Sequence, residues 1–193
     1  MVVGADKMSA VLDYTDRATC VLFGDGAGAV LVEPSRNEHG IRDVLIRSDG
    51  AGMPHLHQKA GGSRMPPSAE TVAKRLHYVH QEGAAVYKFA VARMAEISME
   101  VMLRNQLNPD KIDWLVPHQA NKRIIEATAE RMGLPMDRVM ITINKYGNTT
   151  AATIPLALND AVCSGRLKKG QVVLLASVGA GFTVGAVLLR WGI

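Results

Sequence analysis

The spacing of apolar residues predicts helices and strands in alternation along most of the chain. Apolar side chains recur every three or four positions between residues 84 and 106, which predicts an amphipathic helix. Similar spacing predicts a helix over 121–132, ended by Gly133, and another over 150–164. Short apolar runs predict strands at 112–117, 139–143, 171–177 and 183–191. This order of elements is typical of a layered α/β fold whose strands are buried on both faces.

The N-terminal part of the chain combines predicted strands with one long loop. Two apolar runs flank a Gly-Asp-Gly turn within residues 19–32, and residues 41–48 alternate in polarity, so both segments are predicted to form strands. Residues 49–68 are rich in Gly, Pro and His and show no period, which predicts a long loop. Loops of this length in compact domains are usually functional covers or mobile segments.

The composition is that of a globular protein. Hydrophobic residues make up 48% of the 193 residues and charged residues 21%. The net charge of +4 is spread along the chain and aromatic residues are only 5%, so the sequence does not favour nucleic-acid binding and suggests an acidic partner instead. The N-terminus lacks the pattern of a secretory signal, and no apolar run approaches the ~20 residues of a membrane span. We therefore expect a protein that does not enter a membrane.

The chain has two cysteines, Cys20 and Cys163, in unrelated sequence contexts. They are too few for a disulfide scaffold and lack the spacing of a zinc site. We therefore expect a reducing, cytoplasmic setting. Cys20 falls in a strand-like segment, and Cys163 falls late in a predicted helix, where we expect it to be buried.

Two polar residues follow predicted strands, at the ends where ligands bind in α/β sheets. His118 lies in PHQAN after the strand at 112–117, and Asn148 lies in YGNTTAAT after the strand at 139–143. Neighbouring parallel strands would bring both side chains to one rim as neutral hydrogen-bond donors, which suits a developing oxyanion or enolate. The nearby helix N-terminus disfavours the protonated form of His118. A structural histidine and an asparagine that serves the shape of its turn explain the same pattern.

Two glycine-rich segments also allow two interpretations each. GDGAGA, residues 24–29, lacks the Lys-Ser/Thr pair of a phosphate-binding Walker motif and opens no long helix, so a tight turn is favoured. SVGAGF, residues 177–182, joins two predicted strands. Its backbone N–H groups suit half of an oxyanion hole, and a plain structural turn explains the segment equally well.

Several motifs together resemble one family. VPHQANKRI, NKYGNTTAATIP and LLASVGAGFTVGAVLLRW resemble the β-ketoacyl-[acyl-carrier-protein] synthase III branch of the thiolase-like condensing enzymes, and DYTDRATCVLFGDGAGAVL resembles the segment just before that family's midpoint. The resemblance implies a thiolase-like α/β fold. Residues 1–38 would be the closing strands of an incomplete N-terminal half, and residues 39–193 would be a layered βαβαβαββ C-terminal half. It also implies an acyltransferase that condenses the acyl group of an acyl-coenzyme A with malonyl-acyl-carrier protein, loses carbon dioxide and initiates fatty-acid synthesis.

The resemblance implies roles for individual residues. His118 and Asn148 would be the histidine and asparagine of a Cys-His-Asn triad, and the backbone of Ala180 would belong to the oxyanion hole. The other implied roles are lining of the acyl pocket by Phe23 and Val178, lining of the coenzyme A channel by Arg17, Gly83 and Asn121, and docking of the acidic acyl carrier protein by Lys88, Arg123 and Arg131. Val178 stands where many relatives carry Phe, which bears on the preferred acyl chain. The resemblance implies no metal and no redox cofactor.

The nucleophilic cysteine of that family lies upstream of the segment that this chain resembles, at a helix N-terminus that lowers its pKa. Cys20 aligns with a non-catalytic position. We therefore expect a fragment, a truncated product or one chain of a split enzyme, inactive alone and completed by an N-terminal half or a homodimer partner. Two alternatives stay open. One is a catalytically silent interaction subunit that pairs with a complete synthase, and the other is a thiolase-superfamily enzyme that makes a β-keto compound in another pathway.

Overall fold

The computed structural model describes residues 1–35 and 38–193. The strands, numbered in chain order, are β1 (Val2–Asp6), β2 (Gly26–Val30), β3 (Gly40–Ser48), β4 (Leu56–Gln58), β5 (Val79–Gln81), β6 (Trp114–Pro117), β7 (Val172–Gly179) and β8 (Thr183–Arg190). The α-helices are α1 (Ala69–Ala73), α2 (Gly83–Arg104), α3 (Lys122–Met132), α4 (Ile143–Tyr146) and α5 (Thr153–Cys163). Short 3-10 helices lie at Met8–Ala10, Gly50–His55, Pro109–Lys111, Met136–Arg138 and Thr150–Ala152.

The centre of the molecule is a four-stranded mixed sheet in the order β3-β8-β7-β6. β6 and β7 run parallel, with Trp114 opposite Val173 and Pro117 opposite Ala176. β8 runs antiparallel to both of its neighbours, β7 and β3. The two parallel strands therefore end at the same edge of the sheet, where β6 leads directly into His118.

Helices cover both faces of this sheet. On one face, α2 and α3 form a core in which Met94 and Ile125 pack in one cluster with Leu174 of β7. On the other face, Ala157 of α5 belongs to a second cluster that contains Val173. Adjacent residues of β7 thus contact opposite helical layers, which confirms the predicted layered α/β class with strands buried on both sides.

Helix boundaries follow local capping. The side-chain oxygen of Asn121 accepts the N–H of Arg123 at 2.9 Å and starts α3. Gly133 ends α3 in the left-handed conformation, with φ of 68°, as the sequence predicts. The predicted stripe of α2 is buried at Ala90, Met94, Ile97 and Val101. Within residues 1–35 and 38–193, no helix is both long and apolar enough to span a bilayer.

β1 and β2 form a separate antiparallel ribbon that packs against the turn before α5. A Cβ on Gly4 would lie 2.3 Å from the carbonyl oxygen of Ala151, so only glycine permits this approach. Val2 and Val3 are 64% and 56% exposed. An isolated two-stranded ribbon is marginally stable in water, so the packing on the turn before α5 supports this one. The unit boundary predicted after residue 38 adjoins residues 36 and 37, which lie outside the described residues.

The segment 139–143, predicted as a strand, folds differently. Val139 makes an isolated parallel bridge with Leu115 of β6, and α4 already begins at Ile143. The N–H groups of Thr142 and Ile143 donate to the side-chain oxygen of Gln119 at 2.9 and 3.1 Å. A strand prediction was wrong here because a side chain takes the hydrogen bonds that would extend the ladder.

The first apolar run of 19–32 also differs from its prediction. The carboxylate of Asp16 accepts the N–H of Ala18 and the hydroxyl of Thr19, and its carbonyl accepts the N–H of Cys20, so the chain winds into turns. The second run forms β2 as predicted. The predicted loop at 49–68 contains a 3-10 helix and β4, which pairs with β5.

Candidate active site

A cavity of about 800 Å³ lies at the carboxyl ends of β6 and β7. Its wall is largely apolar, with Leu22, Phe89 and Ile124 among the contributing side chains. The wall is formed by residues 22–23, by β4 and β5, by the first turns of α2, by the residues between β6 and the start of α3, and by the loops at 148–151 and 177–182. The strand-end segments singled out from the sequence therefore meet around one space.

His118 is the first residue after β6. Its backbone N–H donates to the carbonyl of Ala176 at 2.7 Å and so continues the pairing of β6 with β7. Its ring Nδ1 lies 2.6 Å from the hydroxyl oxygen of Thr153 at the start of α5. Burial lowers the pKa of His118 to about 4, so the ring is neutral at pH 7. The sequence analysis also expected the protonated form of His118 to be disfavoured, but it attributed this to a helix N-terminus. The cause of the lowered pKa is burial, because α3 begins only at Lys122.

Asn148 lines the same cavity and is 7% exposed. Its side-chain Oδ1 accepts the N–H of Thr150 at 3.0 Å, which leaves the Nδ2 amide as its donor toward a ligand. Its backbone carbonyl accepts the N–H of Gly24 at 2.9 Å, beside a parallel bridge to Phe23. The residues of this segment with positive φ are Gly147, at 69°, and Thr150, at 49°. Oδ1 of Asn148 therefore supports the shape of the turn, and Nδ2 is the side-chain atom left for a ligand.

Two side chains that the sequence analysis did not single out hold these loops. Gln119 is fully buried, and its amide donates to the carbonyls of Pro117 at 2.8 Å and Met140 at 3.0 Å. Asp6, at the end of β1, accepts the N–H of Ala151 at 3.0 Å and the hydroxyl of Thr150. The glutamine directly after His118 in PHQAN was an available signal. Asp6 lies far away in sequence and offered none.

Ala180 lies in the turn between β7 and β8 and lines the cavity. Phe182 in the same turn stacks on Phe89, with ring centroids 4.3 Å apart, and on His55 at 5.9 Å. The N–H of Asp49 donates to the carbonyl of Phe182 at 2.7 Å. The start of the predicted long loop therefore packs on the turn that carries Ala180 and holds it against α2.

The residues predicted to bind substrate occupy two kinds of position. Phe23, Gly83, Asn121 and Val178 all line the cavity. Arg17 does not line it and is exposed on the turns that precede β2. The cavity gathers the predicted acyl-pocket and coenzyme A residues except Arg17, and their individual roles stay predictions.

Three exposed cations were predicted to dock an acidic protein, and they lie on the packed helices α2 and α3. Arg123 lines the cavity, and its guanidinium lies 5.5 Å from the centroid of the Tyr87 ring. Lys88 follows Tyr87 in α2. Arg131 lies about two turns further along α3 and donates to the carbonyl of Val91 at 3.2 Å. Arg123 is therefore the member of this set at the cavity itself.

Neither cysteine lines the cavity. Cys20 is half-buried on a turn, whereas Cys163 is exposed. The prediction that Cys163 is buried was wrong, because it is the last residue of α5 and its sulfur lies on the outer side, 3.8 Å from Oδ1 of Asn159. The described part of the chain holds no group of three His, Cys, Asp or Glu side chains that could bind a metal.

His57 is a further cavity residue that sequence reasoning missed. Its Nδ1 is buried, and it has no hydrogen-bond partner among the described residues. Its ring lies 5.2 Å from that of His80. A buried polar atom in a cavity wall is a position at which a bound ligand can supply the absent hydrogen bond.

Comparisons with known proteins give one consistent result. Residues 102–191 match the family model described as 3-oxoacyl-[acyl-carrier-protein (ACP)] synthase III C terminal, and residues 1–50 match that of 3-oxoacyl-[acyl-carrier-protein (ACP)] synthase III. The β-ketoacyl-[acyl-carrier-protein] synthase III 2 of Bacteroides thetaiotaomicron is 53% identical over 192 residues, a match that covers 100% of this chain and 57% of that protein. The β-ketoacyl-[acyl-carrier-protein] synthase III of Koribacter versatilis is 54% identical over 193 residues, covering 99% and 58%. This chain thus spans 57–58% of the length of these curated relatives.

Solved structures with the same fold extend this result. The crystal structure of 3-oxoacyl-[acyl-carrier-protein] synthase III from Aquifex aeolicus VF5 superposes with a TM-score of 0.88 at 39% identity, covering 98% of this chain and 56% of that one. The corresponding synthase III from Thermus thermophilus gives 0.89 at 43% identity, covering 98% and 58%. These structures confirm the predicted thiolase-like α/β fold.

The buried ring of His118 predicts a specific titration. Because its folded-state pKa of about 4 lies below the ordinary histidine value of 6.5, the unfolded chain binds more protons between these values. Stability should therefore fall as the pH drops through this window, by at most about 1.4 kcal/mol per pH unit from this residue. NMR titration should show a neutral His118 ring down to about pH 5, and His118→Gln should flatten the pH dependence of the free energy of unfolding. A ring that titrates near the ordinary value of 6.5 would contradict this assignment.

Proposed function

Because the chain belongs to the 3-oxoacyl-[acyl-carrier-protein] synthase III family, we propose that it forms the electrostatic part of the active site of a condensing acyltransferase. The reaction joins an acyl group from an acyl-coenzyme A to malonyl-acyl-carrier protein and initiates fatty-acid synthesis. In this proposal the cavity at the ends of β6 and β7 receives both thioesters. The proposal requires no metal and no redox cofactor.

In the proposed reaction, a cysteine first holds the acyl group as a thioester. The malonyl thioester then loses carbon dioxide as the bond to its carboxylate breaks, and the electron pair of that bond forms an enolate. The enolate carbon attacks the acyl carbonyl, a new carbon–carbon bond forms, and the cysteine thiolate leaves. Nε2 of His118 and Nδ2 of Asn148 donate to the enolate oxygen, and the N–H of Ala180 donates to the oxygen of the acyl thioester.

This proposal rests on the hydrogen bonds that already engage one side-chain atom of each donor, Nδ1 of His118 and Oδ1 of Asn148. Nδ1 of His118 forms a hydrogen bond with the hydroxyl of Thr153, and Oδ1 of Asn148 accepts the N–H of Thr150. Among the described residues no protein group bonds Nε2 of His118, and the outer atoms of both side chains are left for the cavity that they line. This is the arrangement that a two-donor site needs before substrate enters.

The neutrality of both donors suits the chemistry. The carbanion form of the enolate has to attack carbon, and a strong acid beside it would protonate it instead. Burial lowers the pKa of His118 to about 4, so the ring holds no excess proton at pH 7. An asparagine amide does not titrate. Both groups stabilise the negative oxygen without supplying a proton, and departing carbon dioxide makes a general base unnecessary.

The nucleophile in this proposal comes from outside these 193 residues. Cys20 and Cys163 lie away from the cavity wall. The exposed valines of β1 and the exposed Ile41 and Ile46 of β3, at 57% and 67%, offer apolar surface for additional structure. A preceding segment or a second chain with a cysteine at a helix N-terminus would complete both the sheet and the triad.

The wall of the cavity supports separate places for the two ends of the substrates. Phe23, adjacent to Asn148 through the parallel bridge, and Val178, at the end of β7, would line the acyl pocket. Gly83 and Asn121, at the first residue of α2 and the N-cap of α3, would line the channel for coenzyme A. Arg17 would contribute only at the outer end of that channel, because it is exposed and lies outside the wall.

Removal of either donor tests the proposed function. In the chain assembled with a cysteine-bearing N-terminal part of a relative, His118→Ala and Asn148→Ala should each slow malonyl decarboxylation by ~10²–10³. Acylation of the cysteine should fall far less, because these donors act in the malonyl step. Radiolabelled carbon dioxide release and intact mass measure the two steps separately. The control Asn159→Ala, on the exposed side of α5, should leave both unchanged.

Near-normal decarboxylation in both donor variants would remove His118 and Asn148 from the reaction. That outcome would favour a silent interaction subunit, provided that the assembled complex still forms.

Arg123 at the cavity supports docking of an acidic acyl carrier protein on the faces of α2 and α3, with Lys88 beside it and Arg131 at the edge. Arg123→Glu should raise the KM for malonyl-acyl-carrier protein about fivefold and flatten its dependence on salt, because the encounter is electrostatic. Lys169→Glu makes the same charge change at the opposite end of β7 and should have little effect. A KM effect confined to coenzyme A thioesters would show that Arg123 has no docking role.

A further inference from the structure

The hydroxyl of Thr153 lies between two acceptors at the start of α5. Its Oγ1 is 2.6 Å from Nδ1 of His118 and 2.9 Å from the carbonyl oxygen of Thr150. Thr153 itself is 2% exposed, so water does not compete freely for this hydroxyl. A hydroxyl carries one proton and can donate it to only one of the two acceptors at a time.

The group to which this hydroxyl donates determines which nitrogen of the His118 ring carries the proton. Burial lowers the pKa of His118 to about 4, so the ring has a single N–H at neutral pH. If Thr153 donates to Thr150, Nδ1 of the ring must be the donor, and Nε2 presents a lone pair to the cavity. If Thr153 donates to Nδ1, the ring proton is on Nε2 and points into the cavity.

Two observations favour the second arrangement. The carbonyl of Thr150 already accepts the backbone N–H of Thr153, so it is satisfied without the hydroxyl. The hydroxyl oxygen also lies closer to Nδ1 of His118, at 2.6 Å, than to the carbonyl oxygen of Thr150, at 2.9 Å.

We propose that Thr153 is a positioning residue that donates its hydroxyl proton to Nδ1 of His118 and thereby fixes the ring as the Nε2–H tautomer. The inference rests on the proposed function, in which Nε2 must donate to the enolate oxygen. Thr153 does not touch the substrate and acts through His118. A partner of one ring nitrogen commonly sets the role of the other in this way.

The proposal distinguishes among substitutions at this position. Thr153→Ser keeps the hydroxyl and should keep the tautomer. Thr153→Ala removes the hydroxyl and leaves room for water, which can donate or accept, so the preference should be lost. Thr128→Ala is the matched control, since Thr128 is also a buried helical threonine whose hydroxyl donates to a carbonyl, that of Ile124 at 2.8 Å.

Long-range proton–nitrogen correlation NMR on the ¹⁵N-labelled chain, near pH 7.5, reads the tautomer directly. His118 should show a protonated Nε2 and an unprotonated, hydrogen-bonded Nδ1 in the wild type, in Thr153→Ser and in Thr128→Ala. In Thr153→Ala the ratio of Nε2–H to Nδ1–H should fall roughly fivefold, as expected for loss of one neutral hydrogen bond. A predominant Nδ1–H form in the wild type, or an unchanged ratio in Thr153→Ala, would overturn the proposal. The wild-type spectrum decides even if the alanine variant does not fold.

A kinetic arm separates this inference from the proposed function. In the assembled enzyme, Thr153→Ala should slow decarboxylation by about tenfold, less than the ~10²–10³ for loss of the donor itself, and Thr153→Ser should restore the rate. A changed tautomer ratio with unchanged decarboxylation would support the role of Thr153 and refute the donor role of His118 in catalysis. A slower reaction with an unchanged ratio would refute the tautomer proposal alone.

Discussion

The fully buried side chain of Gln119 joins the two chain segments that carry His118 and Asn148. All four of its hydrogen bonds involve the main chain: its amide donates to two carbonyls, and its oxygen accepts two N–H groups at the start of α4. Removing such a side chain would leave several buried backbone groups unpaired, at a cost of about 1–3 kcal/mol for each. The relative position of His118 and Asn148 therefore depends on hydrogen bonds that involve neither side chain, and Asp6 adds a second link from β1.

The sequence predicts those features of the structure that neighbouring residues determine, and it does not predict those that depend on distant contacts. The stripe of α2 and the Gly133 cap of α3 arise from neighbouring residues, and both follow directly from the pattern. The segment 139–143 has the composition of a strand, yet the contact that reshapes it comes from Gln119, about twenty residues earlier. The hydroxyl of Thr153 and the carboxylate of Asp6 act across still longer separations. Motifs located the site, but the contacts that support it are tertiary and have no signature in a single sequence.

We propose one kind of role for this chain. In the proposed function, it supplies neutral hydrogen-bond donors, a mostly apolar cavity and the cation of Arg123 beside it, and these stabilise and position charge without forming a covalent bond. A thiolate nucleophile needs the opposite environment, one that favours a negative charge on sulfur. Placing the two functions on separate parts of the fold lets each be tuned without compromising the other. Burial lowers the pKa of His118, and it also shields the hydrogen bond between the Thr153 hydroxyl and Nδ1 of His118 from water.

We propose that this chain holds the donors and not the nucleophile, and covalent labelling tests this proposal most directly. Intact-mass spectrometry after incubation with acetyl-coenzyme A should find no acyl group on the chain alone, at either Cys20 or Cys163. Addition of a separately produced, cysteine-bearing N-terminal part should give one acetyl group per complex, located on the added part. Stoichiometric acylation of Cys20 or Cys163 in the chain alone would contradict the account.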